Sequence, residues 1–378
     1  MKTKNFFSKL FFVGCLSFVF FSSLFTIPAI IGFFLALTGW IGLGAPGDVP
    51  VDKHIKYSLL AFLVVLLISS LASFAQIKSL SIWLVLFLIV LSCYFLLCFS
   101  RYFSLSYLYT SFYISIIVVL LLAVIELISG NYHSWIHIVN SDGVGVNRGR
   151  LTSVFYFPND LAGFLVLTVP FFINKSGNLY IKISGLIVSL VVVYFTFSRA
   201  GWVSFMVALM VYIFFSRWFR WRFLSLCIII MLGVLFFIIK SHLFVHYFSD
   251  LGRIVMWQNV IELIKDFPLT GVGMGNFKDI YPNYIQPHHW RTLPKDVLLL
   301  WHPHNIFLTI TAESGILATV SFIYFLGVVL IKLLHKESDL PFLAGLAGFL
   351  LFNQVDFLLG FLNTNWSFWI FLCLAWLN

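Results

Sequence analysis

Apolar runs of about twenty residues, each enough to cross the hydrocarbon as one helix, follow one another almost without pause through this chain. They cover residues 10–26, 28–44, 57–75, 80–98 and 106–128, then 157–173, 181–197, 201–216 and 223–239, and finally 304–331, 340–353 and 357–377. A lipid-facing backbone must satisfy its own N–H and C=O groups, so only helices or a closed barrel can span. Barrel strands alternate apolar and polar residues with period two. These runs are continuous, so the sequence predicts an all-α, polytopic integral membrane protein of about twelve transmembrane helices. The charged fraction of 10% against roughly 25% in soluble domains points the same way. The chain reads as a single membrane domain over 1–378.

The net charge of +9 raises the question of nucleic acid, but its distribution answers otherwise. With the N-terminus in the cytoplasm, strict alternation puts Lys53, Lys56, Arg101, Lys175, Lys182, Arg217, Arg220, Arg222, Lys332 and Lys336 on the inner side. The short outer loops keep only Lys78, Arg148, Arg150 and Arg199. That is the positive-inside pattern, and it predicts no nucleic-acid partner. The apolar N-terminal run, led by Lys2, Lys4 and Lys9, reads as an uncleaved anchor. The first two spans also fit one re-entrant hairpin. The five cysteines all lie in apolar runs and show neither metal nor disulfide spacing.

The longest polar stretch, 240–302, falls on the outer side as a large loop containing short helices. Residues 250–266 predict an amphipathic helix with Ile254, Trp257, Ile261 and Ile264 near one face, ended by Pro268. Gly271, Gly273 and Gly275 follow within five residues, a run that permits unusual dihedrals or close backbone approach. No strand precedes it, so a dinucleotide site is not indicated. Tyr281, Tyr284, His288, His289, Trp290 and Arg291 then form a mixture suited to a membrane surface or a sugar.

Several polar groups lie at span ends on that outer side. Arg199 sits between two apolar runs with almost no loop, either as a snorkelling cation or aimed into a cavity. Arg253 opens the amphipathic helix. His302 and His304 flank Pro303, which suits a first helical turn. Two imidazoles two residues apart, without a carboxylate-rich partner motif, argue against zinc. An imidazole that titrates near neutrality suits a general base. Glu313 lies deeper in the next span, and Asp160 and Asp356 lie near span ends. Guanidinium groups bind phosphate bidentately, and a pyrophosphate leaving group needs its developing charge stabilised. Cations with an imidazole on the outer face therefore suit a lipid-pyrophosphate donor and an acceptor hydroxyl.

At these residues the sequence resembles the O-antigen ligase and polymerase superfamily of bacterial surface-polysaccharide enzymes. The resemblance covers 150–326 and runs through Pro158-Asn159, Ser198-Arg199-Ala200-Gly201, Arg253 to Trp257 and Pro268 to Phe277. It ends on His304-Asn305, followed by Gly315 and Ala318-Thr319, where Ala318 replaces a glycine of the ligase pattern. The resemblance implies a glycan transferase of the bacterial inner membrane, active on the periplasmic face. Its donor would be an undecaprenyl-pyrophosphate-linked glycan. Its acceptor would be lipid A–core for a ligase, or a second lipid-linked glycan for a polymerase. It implies His304, Arg253 and Arg199 as catalytic residues. Arg150, Asn159, Asn305, Glu313, His302 and Arg291 would be substrate contacts, with no metal and no cofactor. A lipid-linked glycan transporter is the rival from another class. Transporters of that kind show internal repeats and interrupted helices near mid-membrane, and the sequence displays neither.

Overall fold

The computed structural model describes residues 2–45, 52–130, 149–173, 179–216, 233, 247–289, 301–360 and 362–377. Among these it is all-helical. The helices are α1 (Lys2–Phe21), α2 (Thr26–Gly42), α3 (Lys53–Leu71), α4 (Gln76–Phe99), α5 (Ser106–Ser129) and α6 (Pro158–Thr168). They continue with α7 (Leu179–Phe195), α8 (Arg199–Phe215), α9 (Tyr247–Asp266) and α10 (Phe277–Ile280). The last are α11 (Ile306–Leu333), α12 (Leu340–Phe352) and α13 (Leu362–Leu377). The span expected over 223–239 and most of the 130–150 loop lie outside the described residues.

Among the described residues, five helices are long and apolar enough to cross a bilayer: α1, α3, α4, α5 and α11. Helices α2, α6, α7, α8 and α12 are apolar but shorter, so fewer of the expected spans are long enough to cross alone. Helices α6, α12 and α13 have 11, 13 and 16 residues. At 1.5 Å per residue they reach only about 17–24 Å, against a hydrocarbon thickness of about 30 Å. Tyr109 Oη donates to Leu374 O at 2.7 Å, tying the end of α13 to the start of α5.

Helices α1 and α2 form a tight hairpin. A Cβ on Gly14, Gly32 or Gly39 would strike the backbone of the opposite helix, so small residues let the two backbones touch. The segment entering α6 is held by a buried acid. The Glu126 carboxylate accepts the N–H groups of Thr152 (3.2 Å) and Ser153 (2.6 Å).

The expectation that no span is interrupted is corrected. Within α11, Gly315 has φ 84 and ψ 170, which breaks the helix. The loop after α9 fills the break. Val272 N donates to Ala312 O (2.9 Å), Gly273 N to Glu313 O (2.8 Å), and Ile316 N to Pro268 O (2.8 Å). The carbonyls and N–H groups freed by the break are thus taken up by another backbone. Gly271, Gly273 and Gly275 all have positive φ. A Cβ on Gly271 would meet the Glu313 backbone and one on Gly315 the Leu269 carbonyl. The glycine run is a requirement of this inlay. Ser69 Oγ donates to Thr270 O (2.6 Å) and Asn276 Nδ2 to Ser73 Oγ (2.7 Å), so the α3–α4 corner closes the other side.

Helix α9 forms where expected, but only Trp257 and Ile264 of the expected face pack inward. Met256, Asn259, Val260 and Leu263 are buried against Val272, Phe277 and Ala312, while Ile254 is 52% and Ile261 47% exposed. Apolar residues run nearly all round this helix, so its partner rather than its own pattern selects the packed face.

Candidate active site

Residues of α6, α8, α9 and α12, with the segments that flank them, line one cavity of about 640 Å³. Its cations are Arg150, Arg199 and Arg253, and its apolar wall includes Phe197, Val203, Leu351 and Val355. Arg199 is the first residue of α8, whose N-cap Ser198 accepts the Gly201 N–H at 3.2 Å. That cap forces the chain to turn sharply after Phe197, which sits at φ 49, and the turn leaves Arg199 at the cavity wall.

His304 joins the cavity through Asp356. Its Nδ1 lies 2.9 Å from Asp356 Oδ1, and Asp356 is part of the cavity wall. The second carboxylate oxygen accepts Asn159 Nδ2 at 2.6 Å. Asn159 Oδ1 accepts Arg150 Nη2 at 3.1 Å, and Arg150 Nε donates to Thr196 O at 2.7 Å. The result is a continuous chain from Arg150 through Asn159 and Asp356 to His304. An ionised carboxylate makes Nδ1 the donor, so the lone pair of a neutral His304 is on Nε2.

Burial alone would push the Asp356 carboxyl up. The hydrogen bond and charge of His304, the charge of His302 and the Phe357 N–H outweigh it and hold this group well below the usual carboxylate range. His302 behaves in the opposite way. Burial, with the nearby charges of His304 and Arg253, lowers its imidazole from 6.5 to about 4 against the pull of Asp356. Its Nδ1 accepts the His304 N–H at 3.2 Å, and its ring stands 4.3 Å from the His304 ring. Of the two imidazoles, His304 is therefore the one with both a carboxylate partner and a free basic nitrogen.

The turn carrying these imidazoles is strained. His304 has φ 49, a region that non-glycine residues adopt at a cost of about 1–3 kcal/mol. Four hydrogen bonds hold it there. Trp257 Nε1 donates to Pro303 O at 2.7 Å, which also fixes α9, and with it Arg253 one turn earlier. Asn305 Oδ1 caps α11 by accepting Leu308 N at 2.9 Å, while its Nδ2 donates to Gln354 O at 3.0 Å. Ile306 N donates to Asn353 O at 2.8 Å. These last bonds staple the α12–α13 turn to the start of α11, which brings Asp356 to His304.

Of the residues nominated from sequence, the structure gathers Arg150, Asn159, Arg199, Arg253, His302 and His304 around this site. Asn305 is spent on capping and stapling. Glu313 lies elsewhere, its carboxylate taking the backbone N–H groups of Gly275 and Phe277. Arg291 lies outside the described residues. Sequence reasoning noted Asp356 only as an acid near a span end. The signal available was the single charged residue in the apolar sequence after Asp339, a position that points to a polar cavity.

His302, His304 and Asp356 also offer three ligand atoms within 4.8 Å of one another. The spacing that argued against a metal in the sequence is thus supplemented by a third group. Both Nδ1 atoms are already engaged, one by a carboxylate and one by an N–H.

No curated protein matches the chain. Residues 184–323 match the family model described as O-antigen ligase, a stretch from α7 into α11 that holds Arg199, Arg253 and His304 and leaves Arg150, Asn159 and Asp356 outside. The chain is thus multi-pass and, among its described residues, all-helical, and over residues 184–323 it carries a domain that matches the O-antigen ligase family model.

Proposed function

We propose that this protein transfers a glycan from an undecaprenyl-pyrophosphate carrier to an acceptor hydroxyl, as an O-antigen ligase whose acceptor is lipid A–core. The observation that carries the reading is one cavity with three arginines in its wall and an Asp356–His304 pair beside them. His304 Nε2 takes the proton of the acceptor hydroxyl. The freed oxygen attacks the anomeric carbon, whose bond to the phosphate oxygen breaks, and the configuration inverts. Undecaprenyl pyrophosphate leaves with its charge held by Arg199 and Arg253. Asp356 keeps the imidazole in the competent tautomer and stabilises its protonated form. The arginines supply the charge that a metal would otherwise supply, so the reading has transfer proceed without one. The active face is periplasmic and the N-terminus cytoplasmic in the bacterial inner membrane, in line with the positive-inside pattern.

The His304-Asn305, Gly315, Thr319 element favours ligase over polymerase. Purified protein given lipid-linked donor and lipid A–core tests both the reaction and the acceptor. A new glycosidic bond to core supports the ligase reading, and its absence with active donor rejects it. In a deletion strain, free lipid-linked polymer with bare core supports ligase, whereas core bearing a single repeat supports polymerase. Transport of the donor without bond formation would instead favour the transporter reading, for which the break in α11 is the one structural argument.

A further inference from the structure

Arg150 and Asn159 line the cavity but lie outside the matched domain, and the proposed reaction gives neither of them a task. Arg150 is nonetheless held at two points. Its Nε donates to Thr196 O at 2.7 Å and its Nη2 to Asn159 Oδ1 at 3.1 Å. Nε–H and the Nη2–H beside it are the side-on fork of the guanidinium, so protein oxygens already occupy the edge that would grip a phosphate in that mode. Its charge is answered as well, because Arg150 and Asp356 attract one another across Asn159.

Asn159 links this cation to that anion. Its carbonyl oxygen accepts from Arg150, and its amide nitrogen donates to Asp356 Oδ2 at 2.6 Å. Only a side chain with an acceptor at one corner and a donor at the other serves both neighbours. An aspartate here would bring Asp356 a like charge, and a leucine would bring it nothing. Asp356 Oδ1 takes His304 Nδ1 (2.9 Å) and Phe357 N (2.8 Å), whereas the bond to Oδ2 comes from Asn159. Without Asn159 a buried, charged oxygen loses its donor, and the carboxylate can rotate off the imidazole. The other end of the link is the turn that carries Arg199. Thr196, whose carbonyl Arg150 holds, accepts the Ser198 N–H on Oγ1 at 3.3 Å, and Ser198 caps the helix that Arg199 begins.

We propose that Arg150 and Asn159 are positioning residues, one brace that holds the Arg199 turn and the Asp356–His304 pair in a single frame. The inference rests on the transfer reading and departs from the resemblance, which makes both residues substrate contacts. The brace sets the cation that meets the leaving group against the base that meets the acceptor. It acts through orientation, so it governs turnover and leaves donor affinity to Arg199 and Arg253.

Steady-state kinetics of the purified full-length protein, with lipid-linked donor and lipid A–core, tests this. Asn159→Leu should lower kcat about tenfold or more, the worth of one hydrogen bond to a charged group, with KM for donor within about twofold. Arg150→Met should do the same, and the double variant should lose about as much as the worse single change, because both break one link. Additive losses, or a donor KM raised more than about tenfold in Arg150→Met with kcat unchanged, overturn the proposal. Labelling of His304 by diethyl pyrocarbonate, read by peptide mass spectrometry without donor, tests the brace apart from any transfer. A carboxylate on Nδ1–H makes Nε2 more nucleophilic, so labelling should slow in Asn159→Leu. A merely loosened pocket would expose the ring and speed it, so labelling at or above the parental rate also overturns the proposal. If the parent itself forms no glycosidic bond, slower labelling still upholds the link to Asp356, and the failure belongs to the transfer reading.

Discussion

His304 Nδ1 and Asp356 Oδ1 stand 2.9 Å apart, although one residue lies inside the matched ligase domain and the other 33 positions beyond its end at residue 323. The pairing gives the carboxylate a definite task. Asp356→Asn keeps the volume but presents an amide that can hold the imidazole in the wrong tautomer. Transfer by this variant should fall at least about 100-fold in kcat with the KM for donor little changed. Steady-state kinetics with purified protein checks it. A kcat within about twofold of the parent would remove Asp356 from the mechanism.

The two shifted groups at the site make stability depend on pH in one direction. His302 is lowered to about 4 from 6.5, so between those values the unfolded chain binds more protons than the folded one. Stability rises with pH across this window and is lost as pH falls through it. Asp356, also lowered, contributes above the ordinary carboxylate range and loses that contribution at still lower pH. The melting temperature should therefore drop steadily from pH 6.5 to 4. In His302→Phe, which keeps the ring contact to Phe357 and cannot be protonated, that part of the drop should flatten. A parent curve that is level over this range would contradict the assignment of a neutral His302.

Arg199 and Arg253 share the cavity and should both resist substitution. A pyrophosphate needs charge from both, and only a guanidinium presents two parallel N–H groups. Replacing either with Ala should lower transfer by about 100- to 1,000-fold, while insertion and expression stay normal. Arg253→Lys should recover little, because α9 is anchored by Trp257 and cannot shift to bring a shorter fork nearer. The initial rate of glycan transfer, at matched protein level in membranes, reads this out. Parental rates in both Ala variants would end the proposed mechanism.

The helical class and nearly every described helix were legible from apolar run length, because lipid leaves the backbone no other solution. Arg199, Arg253 and His304 were legible because a charged or basic group at the end of an apolar run needs a reason to be there. Their convergence was not, since it depends on helices of 11 and 13 residues that stop short and draw a turn inward. Asp356 was visible as a residue and invisible as a partner. Its position follows from the Ile306 to Asn353 and Asn305 to Gln354 bonds, which no local pattern encodes. The packed face of α9 was legible only in part, in Trp257 and Ile264, for the same kind of reason. Met256 and Val260 are buried because the inlaid loop lies on that side, while Ile254 is just as apolar and remains outside.

Glu313 separates a clamp from a substrate contact. Its carboxylate takes backbone N–H groups of Gly275 and Phe277, and its carbonyl takes Gly273 N, so it holds the loop that fills the break in α11. That loop connects the helix of Arg253 to the helix that His304 precedes. Glu313→Gln retains an acceptor oxygen and should leave KM for donor and acceptor within about twofold. Gly315→Ala is the severe change. It places a Cβ against the Leu269 carbonyl at φ 84, where glycine alone is comfortable. The strain of an alanine held at this φ and ψ is about 1–3 kcal/mol, and displacing the loop adds to it. This variant should melt at lower temperature and lose transfer through a looser Arg253, with protease cleavage between residues 266 and 277 appearing at temperatures the parent resists. Should Gly315→Ala keep both the parental melting temperature and the parental rate, the inlay would be no more than a packing detail. A KM for donor raised more than about tenfold in Glu313→Gln, with melting unchanged, would return Glu313 to the substrate site.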